Sequence, residues 1–219
     1  MAISLGDQVP NFEADTTQGS INFYQWAGDS WVVLVSHPNQ FRPVCATALG
    51  ELAKLSDEFE RRNIKVLIVS CAPMSSFDQW SNDVLDTQGV AIQHPVVIDS
   101  SARIATMYGM IHPGMSETVP MRVTMIVSPD KRLRVDMALP SSLGRNFNEI
   151  LRLCDSLQLT ERYDVATPAG WQWGDDVIIV PGMSTEEANK KFPGGWDEQR
   201  SYLRVVKQPG ESGTSGPRP

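Results

Sequence analysis

The chain has 219 residues, enough for one medium domain with an appendage, and the composition of an ordinary globular protein. A net charge of -7 argues against a nucleic-acid partner, which would call for a basic face. No run of about 18 apolar residues marks a membrane span, and Met1-Ala2-Ile3-Ser4 does not open a basic-then-apolar signal segment, so a cytoplasmic protein is expected.

The pattern alternates strand and helix. An apolar run over 31–36 predicts a buried strand. Leu49, Leu52, Leu55 and Phe59 line one side of a helix over 44–61. A strand over 64–70, a helix over 75–85, a strand over 95–98 and a short helix over 101–107 follow. Strands over 122–128 and 133–139 flank Pro129-Asp130-Lys131-Arg132, a hairpin turn. An amphipathic helix covers 146–157. Such alternation predicts an α/β domain with a mixed, mainly parallel central sheet flanked by helices and closed by an antiparallel hairpin. The domain runs over 1–165. A smaller extension over 166–207 holds a strand over 177–180, a helix over 184–192 and a strand over 202–206. A Gly-, Ser- and Pro-rich tail over 208–219 is expected to be disordered.

The chemistry concentrates in Ser36-His37-Pro38-Asn39-Gln40-Phe41-Arg42-Pro43-Val44-Cys45. Here a strand ends, a loop with two prolines follows, and Cys45 falls in the first turn of a helix. Unpaired backbone N–H groups and the helix dipole both favour a thiolate there. Pro43 suits a helix start, and Pro38 holds His37 extended. The bland alternative is a small buried core cysteine. Arg122 opens the apolar strand Val123-Thr124-Met125-Ile126-Val127, where a charge is costly unless it is used. The three cysteines are sparse and odd in number, which fits a reducing compartment. Neither they nor His37, His94 and His112 show metal-ligand spacing, so no metal or other cofactor is expected.

Pro38 and Cys45 match the Pro-x-x-x-Thr/Ser-x-x-Cys loop of the peroxiredoxins. With Leu5-Gly6-Asp7, Gln79-Trp80-Ser81, Ser128-Pro129-Asp130-Lys131 and Val165-Ala166-Thr167-Pro168, the chain resembles the 1-Cys branch of that family over nearly its whole length. The resemblance implies a thioredoxin-like fold with a C-terminal peroxiredoxin extension that wraps a dimer partner, in a homodimer or a higher oligomer. It implies a thiol peroxidase that reduces hydrogen peroxide or small organic hydroperoxides. Cys45 would be the nucleophile and Arg122 the stabiliser of thiolate and peroxide; Pro38 would shield the sulfur, with His37 and Arg145 beside the pocket. Cys71 and Cys154 read as structural, so the sulfenic acid formed on Cys45 would be reduced by an external thiol, glutathione or a thioredoxin-type protein.

Two residues depart from the family pattern. Arg42 stands where a Thr or Ser bonds the thiolate, and Ala48 stands where a glutamate pairs with the arginines. Arg42 is expected to sit in the pocket. Both changes add positive charge, which predicts weakened turnover or a shifted preference toward an anionic peroxide. Alternatives from other classes are a binding or structural subunit with a blunted site, and a redox sensor or thiol relay. A phospholipase site built on Ser30 and Asp130 would have Tyr24 in place of its histidine, a poor general base.

Overall fold

The computed structural model describes residues 3–111, 114 and 120–210. Its contacts divide the chain into two compact units, 1–147 and 148–219. The boundary read from sequence near residue 166 lies within the second unit. The tail lies outside the described residues from 211 onward.

The first unit is built on a seven-stranded mixed sheet. Its strands are β1 (Glu13–Thr16), β2 (Gly19–Asn22), β3 (Trp31–His37), β4 (Ile64–Ser70), β5 (Val96–Ile98), β6 (Arg122–Val127) and β7 (Leu133–Leu139). The order is β2-β1-β5-β4-β3-β6-β7. Parallel pairing is confined to β5-β4-β3, less than the alternation suggests. The hairpin β6–β7 flanks one side as expected, and the hairpin β1–β2 flanks the other. That second hairpin is short and polar, so no period-two pattern announced it.

Successive side chains of β3 serve opposite faces. Val32 and Leu34 join Leu67, Val69, Val97, Val123 and Met125 in one core cluster. The helices α1 (Phe23–Ala27) and α5 (Arg103–Met107) cover this face through Phe23, Ala27, Ile104 and Ala105. The other face, carrying Val33, Val35 and His37, lies under α2 (Pro43–Lys54), α3 (Ser56–Glu60) and α4 (Phe77–Gln88), with Trp80 of α4 against the His37 ring. The single helix expected over 44–61 is therefore two. Leu55 leaves helical geometry (φ -99°, ψ 9°), and the Ser56 hydroxyl bonds back to the Ala53 carbonyl, competing with the helix ladder.

The second unit holds α6 (Phe147–Tyr163), α7 (Thr185–Lys191) and a four-stranded antiparallel sheet of β8 (Val165–Ala166), β9 (Val177–Ile179), β10 (Asp197–Arg200) and β11 (Leu203–Val206), ordered β10-β11-β9-β8. Leu159, Trp171, Val177, Ile179, Ala188 and Phe192 form its core. Ser184 and Glu187 close a capping box at the start of α7.

The pose of α2, which carries Cys45, depends on close approach to α4. A Cβ placed on Gly50 would lie 2.6 Å from Gln88 Cβ, an anchored atom that cannot swing away. Gly50→Ala is therefore expected to destabilise the protein by about 1–3 kcal/mol despite alanine's better helix propensity. Urea unfolding of the two proteins measures this.

Candidate active site

The site forms at the carboxyl ends of β3 and β4, where open α/β sheets present their ligand crevices. β3 pairs with β6 from Val32 opposite Val127 to Val35 opposite Thr124. Continuing that register sets His37 opposite Arg122, side by side on the face under α2 and α4. Arg122 is 1 % exposed. Its Nη2 donates to Cys45 Sγ at 3.7 Å and to the Ser141 carbonyl at 3.1 Å. Its Nε and Nη1 are buried without a hydrogen-bond partner.

Cys45 is fully buried in the first turn of α2. Its N–H and that of Ala46 both donate to the Arg42 carbonyl at 3.0 Å. Pro38 is buried in the loop between β3 and α2. Gln40 fixes that loop by accepting a hydrogen bond from Ser76. Phe41 holds a φ of 54°, a left-handed conformation uncommon for a bulky residue, and is half exposed.

Arg145 acts as a strap. Its Nε donates to Thr124 Oγ1 at 2.8 Å, and its Nη2 donates to the carbonyls of Ser36 at 2.7 Å and Val123 at 2.8 Å. Ser36 in turn accepts from the Val123 N–H at 2.7 Å and donates to the Met121 carbonyl. These bonds fix the end of β3 against the start of β6. Burial, then Arg122, pull the Arg145 pKa down to about 9, opposed by Cys45. It remains a guanidinium at neutral pH.

His37 has both ring nitrogens buried and unpartnered, and its ring lies 4.5 Å from that of Trp80. Burial first, then Arg145 and Arg122, lower its pKa to about 3. It is neutral throughout the physiological range and so carries no imidazolium proton to give as an acid.

The two departures from the expected pattern fall differently. Arg42 is exposed at the N-cap of α2 and forms no side-chain cap bond, so it does not fill the pocket as expected. Ala48 is buried one turn beyond Cys45 on the same face of α2. Among the described residues no carboxylate pairs with Arg122 or Arg145.

This fold and cysteine environment can be compared with known proteins. The AhpC/TSA family matches residues 5–136, and the C-terminal domain of 1-Cys peroxiredoxin matches residues 156–195. The 1-Cys peroxiredoxin of Dictyostelium discoideum is 50% identical over 94% of this chain and 86% of its own. The chain belongs to the 1-Cys peroxiredoxins. Among solved structures, the yeast mitochondrial 1-Cys peroxiredoxin superposes with a TM-score of 0.87 at 41% identity, covering 94% of this chain and 99% of its own. A Cys-to-Ser mutant of the peroxiredoxin 6 of Arenicola marina gives 0.87 at 41% identity, covering 96% and 100%. The thioredoxin-like fold and the thiol peroxidase class follow from membership.

The other two cysteines of this peroxiredoxin lie away from the first turn of α2. Burial and Asp99 push the Cys71 thiol up to about 11, which suppresses its thiolate. Cys154 is fully buried in α6. The Ser30 hydroxyl is spent on Asn63 Oδ1 at 2.8 Å, Tyr24 donates to the Val9 carbonyl, and Asp130 accepts from Ser128. No hydrolytic triad forms from them. Sequence reasoning missed Ser36, Thr124 and the Ser141 carbonyl; the one signal was a hydroxyl within each of two apolar strands.

His37 makes stability pH-dependent. Its pKa near 6.5 when unfolded exceeds the folded value of about 3, so between them the unfolded chain binds the extra proton. Stability should fall on acidification through that window, by up to about 1.4 kcal/mol per pH unit from this residue. His37→Leu should flatten that slope in urea titrations repeated across the same pH range.

Proposed function

We propose that Cys45 is the peroxidatic nucleophile and reduces hydrogen peroxide or small organic hydroperoxides. The observation that carries this reading is the Cys45 Sγ–Arg122 Nη2 contact of 3.7 Å, beside buried guanidinium donors that nothing occupies. The thiolate attacks one peroxide oxygen and the O–O bond breaks. The other oxygen leaves as hydroxide or alkoxide and takes up a proton, while Cys45 becomes a sulfenic acid. Arg122 stabilises the thiolate before attack and the charge on the leaving oxygen during it. Arg145 positions the strand ends that carry Arg122 and His37. Pro38 keeps water from the sulfur.

Cys71 and Cys154 are poor resolving thiols, so reduction falls to an external thiol. It attacks the sulfenic sulfur and releases water, and a second thiol then frees Cys45 from the mixed disulfide. The yeast mitochondrial relative is described as resolved via glutathione/thioredoxin systems. Glutathione or a thioredoxin-type protein is the reductant we assign here. We further assign a homodimer, or a higher oligomer built from it. β7 ends the large sheet; beyond Leu133, which bonds to the Gly6 and Asp7 backbone, its outer edge pairs with no other described strand, and a second copy would cover it. The C-terminal extension would wrap that copy. Free cysteines suit a reducing compartment, here the cytoplasm.

Stopped-flow oxidation by hydrogen peroxide tests the enzyme reading. Cys45 should react far faster than free cysteine, and Arg122→Gln should lower its rate by roughly 100-fold. Equal rates for Cys45 and free cysteine would overturn it. Arg42→Thr, which supplies a capping hydroxyl to the first turn of α2, should raise the rate and add about 1 kcal/mol of stability. Light scattering should give at least the mass of a dimer.

A further inference from the structure

We infer that Ser36 is a positioning residue of the reaction: its hydroxyl holds the turn that aims Arg122 at Cys45. The inference rests on the reading above, in which Arg122 stabilises the Cys45 thiolate and the leaving oxygen. Arg122 is the middle residue of a three-residue turn, closed by the Val123 N–H donating to the Met121 carbonyl at 3.0 Å. The Ser36 hydroxyl bridges both ends of that turn. It donates to the Met121 carbonyl and accepts from the Val123 N–H at 2.7 Å. A bond closing so small a ring is bent and weak on its own. The hydroxyl, on a fully buried side chain, clips the backbone on both sides of Arg122.

The neighbouring elements leave this task to Ser36. Backbone pairing of β3 with β6 stops at Val35 opposite Thr124, one position short of Ser36. β7 pairs with the other edge of β6, setting Leu139 opposite Arg122. The Arg145 bonds to β6 end on Val123 and Thr124, which follow Arg122; the Ser36 hydroxyl also holds Met121, which precedes it. The Arg122 side chain has little of its own to fix it. One nitrogen, Nη2, makes its bonds to Cys45 Sγ and the Ser141 carbonyl, while Nε and Nη1 have no partner. The direction of the guanidinium is then set by the backbone that carries it. A misplacement of about 1 Å can cost on the order of 100-fold in rate.

Ser36 acts through Arg122 and not on the substrate. Its one hydrogen goes to the Met121 carbonyl, and its oxygen faces the Val123 N–H and, at 3.4 Å, Arg145 Nη2. Removing the hydroxyl strands neither end of the turn, because the Met121 carbonyl and the Val123 N–H keep each other. The cost of Ser36→Ala therefore falls on the aim of Arg122 more than on the fold.

The test is a double-mutant cycle on the full chain, read by stopped-flow oxidation with hydrogen peroxide. Trp80, whose ring lies against His37, is the fluorescence reporter. Ser36→Ala should slow oxidation about tenfold. It should also shift the pH profile of the rate to higher pH, as Arg122→Gln does, because a less well aimed guanidinium favours the thiolate less. Within Arg122→Gln the same change should alter the rate by less than about twofold, since the residue it acts through is gone. Ser36→Thr, which keeps the hydroxyl, should restore the rate to within about threefold of the natural protein. A fast Ser36→Ala beside a slow Arg122→Gln would overturn the inference and leave the peroxidase reading standing. So would an equal loss from Ser36→Ala in both backgrounds, which marks a role apart from Arg122. A natural Cys45 no faster than free cysteine would overturn inference and peroxidase reading together. Should Ser36→Ala not fold, the β-branched pair Ser36→Thr and Ser36→Val decides. The threonine variant should be the faster by about tenfold, and equal rates overturn the inference.

Discussion

The site depends on one costly arrangement, a fully buried Arg122 beside a cysteine and a partly buried Arg145 near it, with no carboxylate among the described residues paired to either. Taking an unpaired charge out of water is opposed by several kcal/mol even after relaxation. Arg145 offsets its share through protein oxygens at 2.7–2.8 Å. Arg122 does so only in part, through Ser141 and the sulfur. What remains unsatisfied on Arg122 is a standing demand for an acceptor, placed where a peroxide would lie. The strand register carries that demand to its target: a one-residue slip of β6 against β3 would turn Arg122 to the opposite face. The Arg145–Ser36–Thr124 bonds oppose such a slip.

The helix side is fixed by packing rather than charge. Cys45 meets Arg122 only if α2 sits close against α4, and Gly50 permits that approach. The same α4 supplies Trp80 to cover His37, so one helix pair sets both the depth of the sulfur and the dryness of the imidazole. Dryness keeps His37 neutral, and a neutral ring avoids adding a third positive charge to the cluster.

Much of this was legible in the sequence, for identifiable reasons. The strands at 64–70 and 133–139 are strongly patterned and appear at those bounds. Cys45 and Arg122 stood out because each residue type is conspicuous in its segment. The polar hairpin β1–β2 and the fully exposed β10 carry no apolar alternation, so nothing marked them. The contacts of Arg145 join residues 36, 123, 124 and 145, a convergence only the folded register creates. An arginine at position 42 does not reveal whether its side chain points in or out. The fold leaves it exposed, which removes the expected obstruction of the pocket. Phe41 gives no sequence sign of its left-handed backbone.

The same charge balance bears on the second half of the proposed cycle. In the proposed cycle the Cys45 thiolate that attacks the peroxide also compensates one of the two guanidiniums. Oxidation to a neutral sulfenic acid removes that compensation, since the negative charge leaves with the product. The pocket is then at its most positive when the reductant must enter, and the reductant attacks as a thiolate anion. A site with a resident glutamate would dampen that swing, because its carboxylate would hold the arginines in both redox states. With Ala48 in its place, redox state alone sets how strongly the pocket draws the next anion. Cys45 is also fully buried, so a reductant thiol must meet a sulfur that the first turn of α2 covers. That turn has no side-chain cap bond and follows a left-handed Phe41, so only backbone bonds from Cys45 and Ala46 to the Arg42 carbonyl close it.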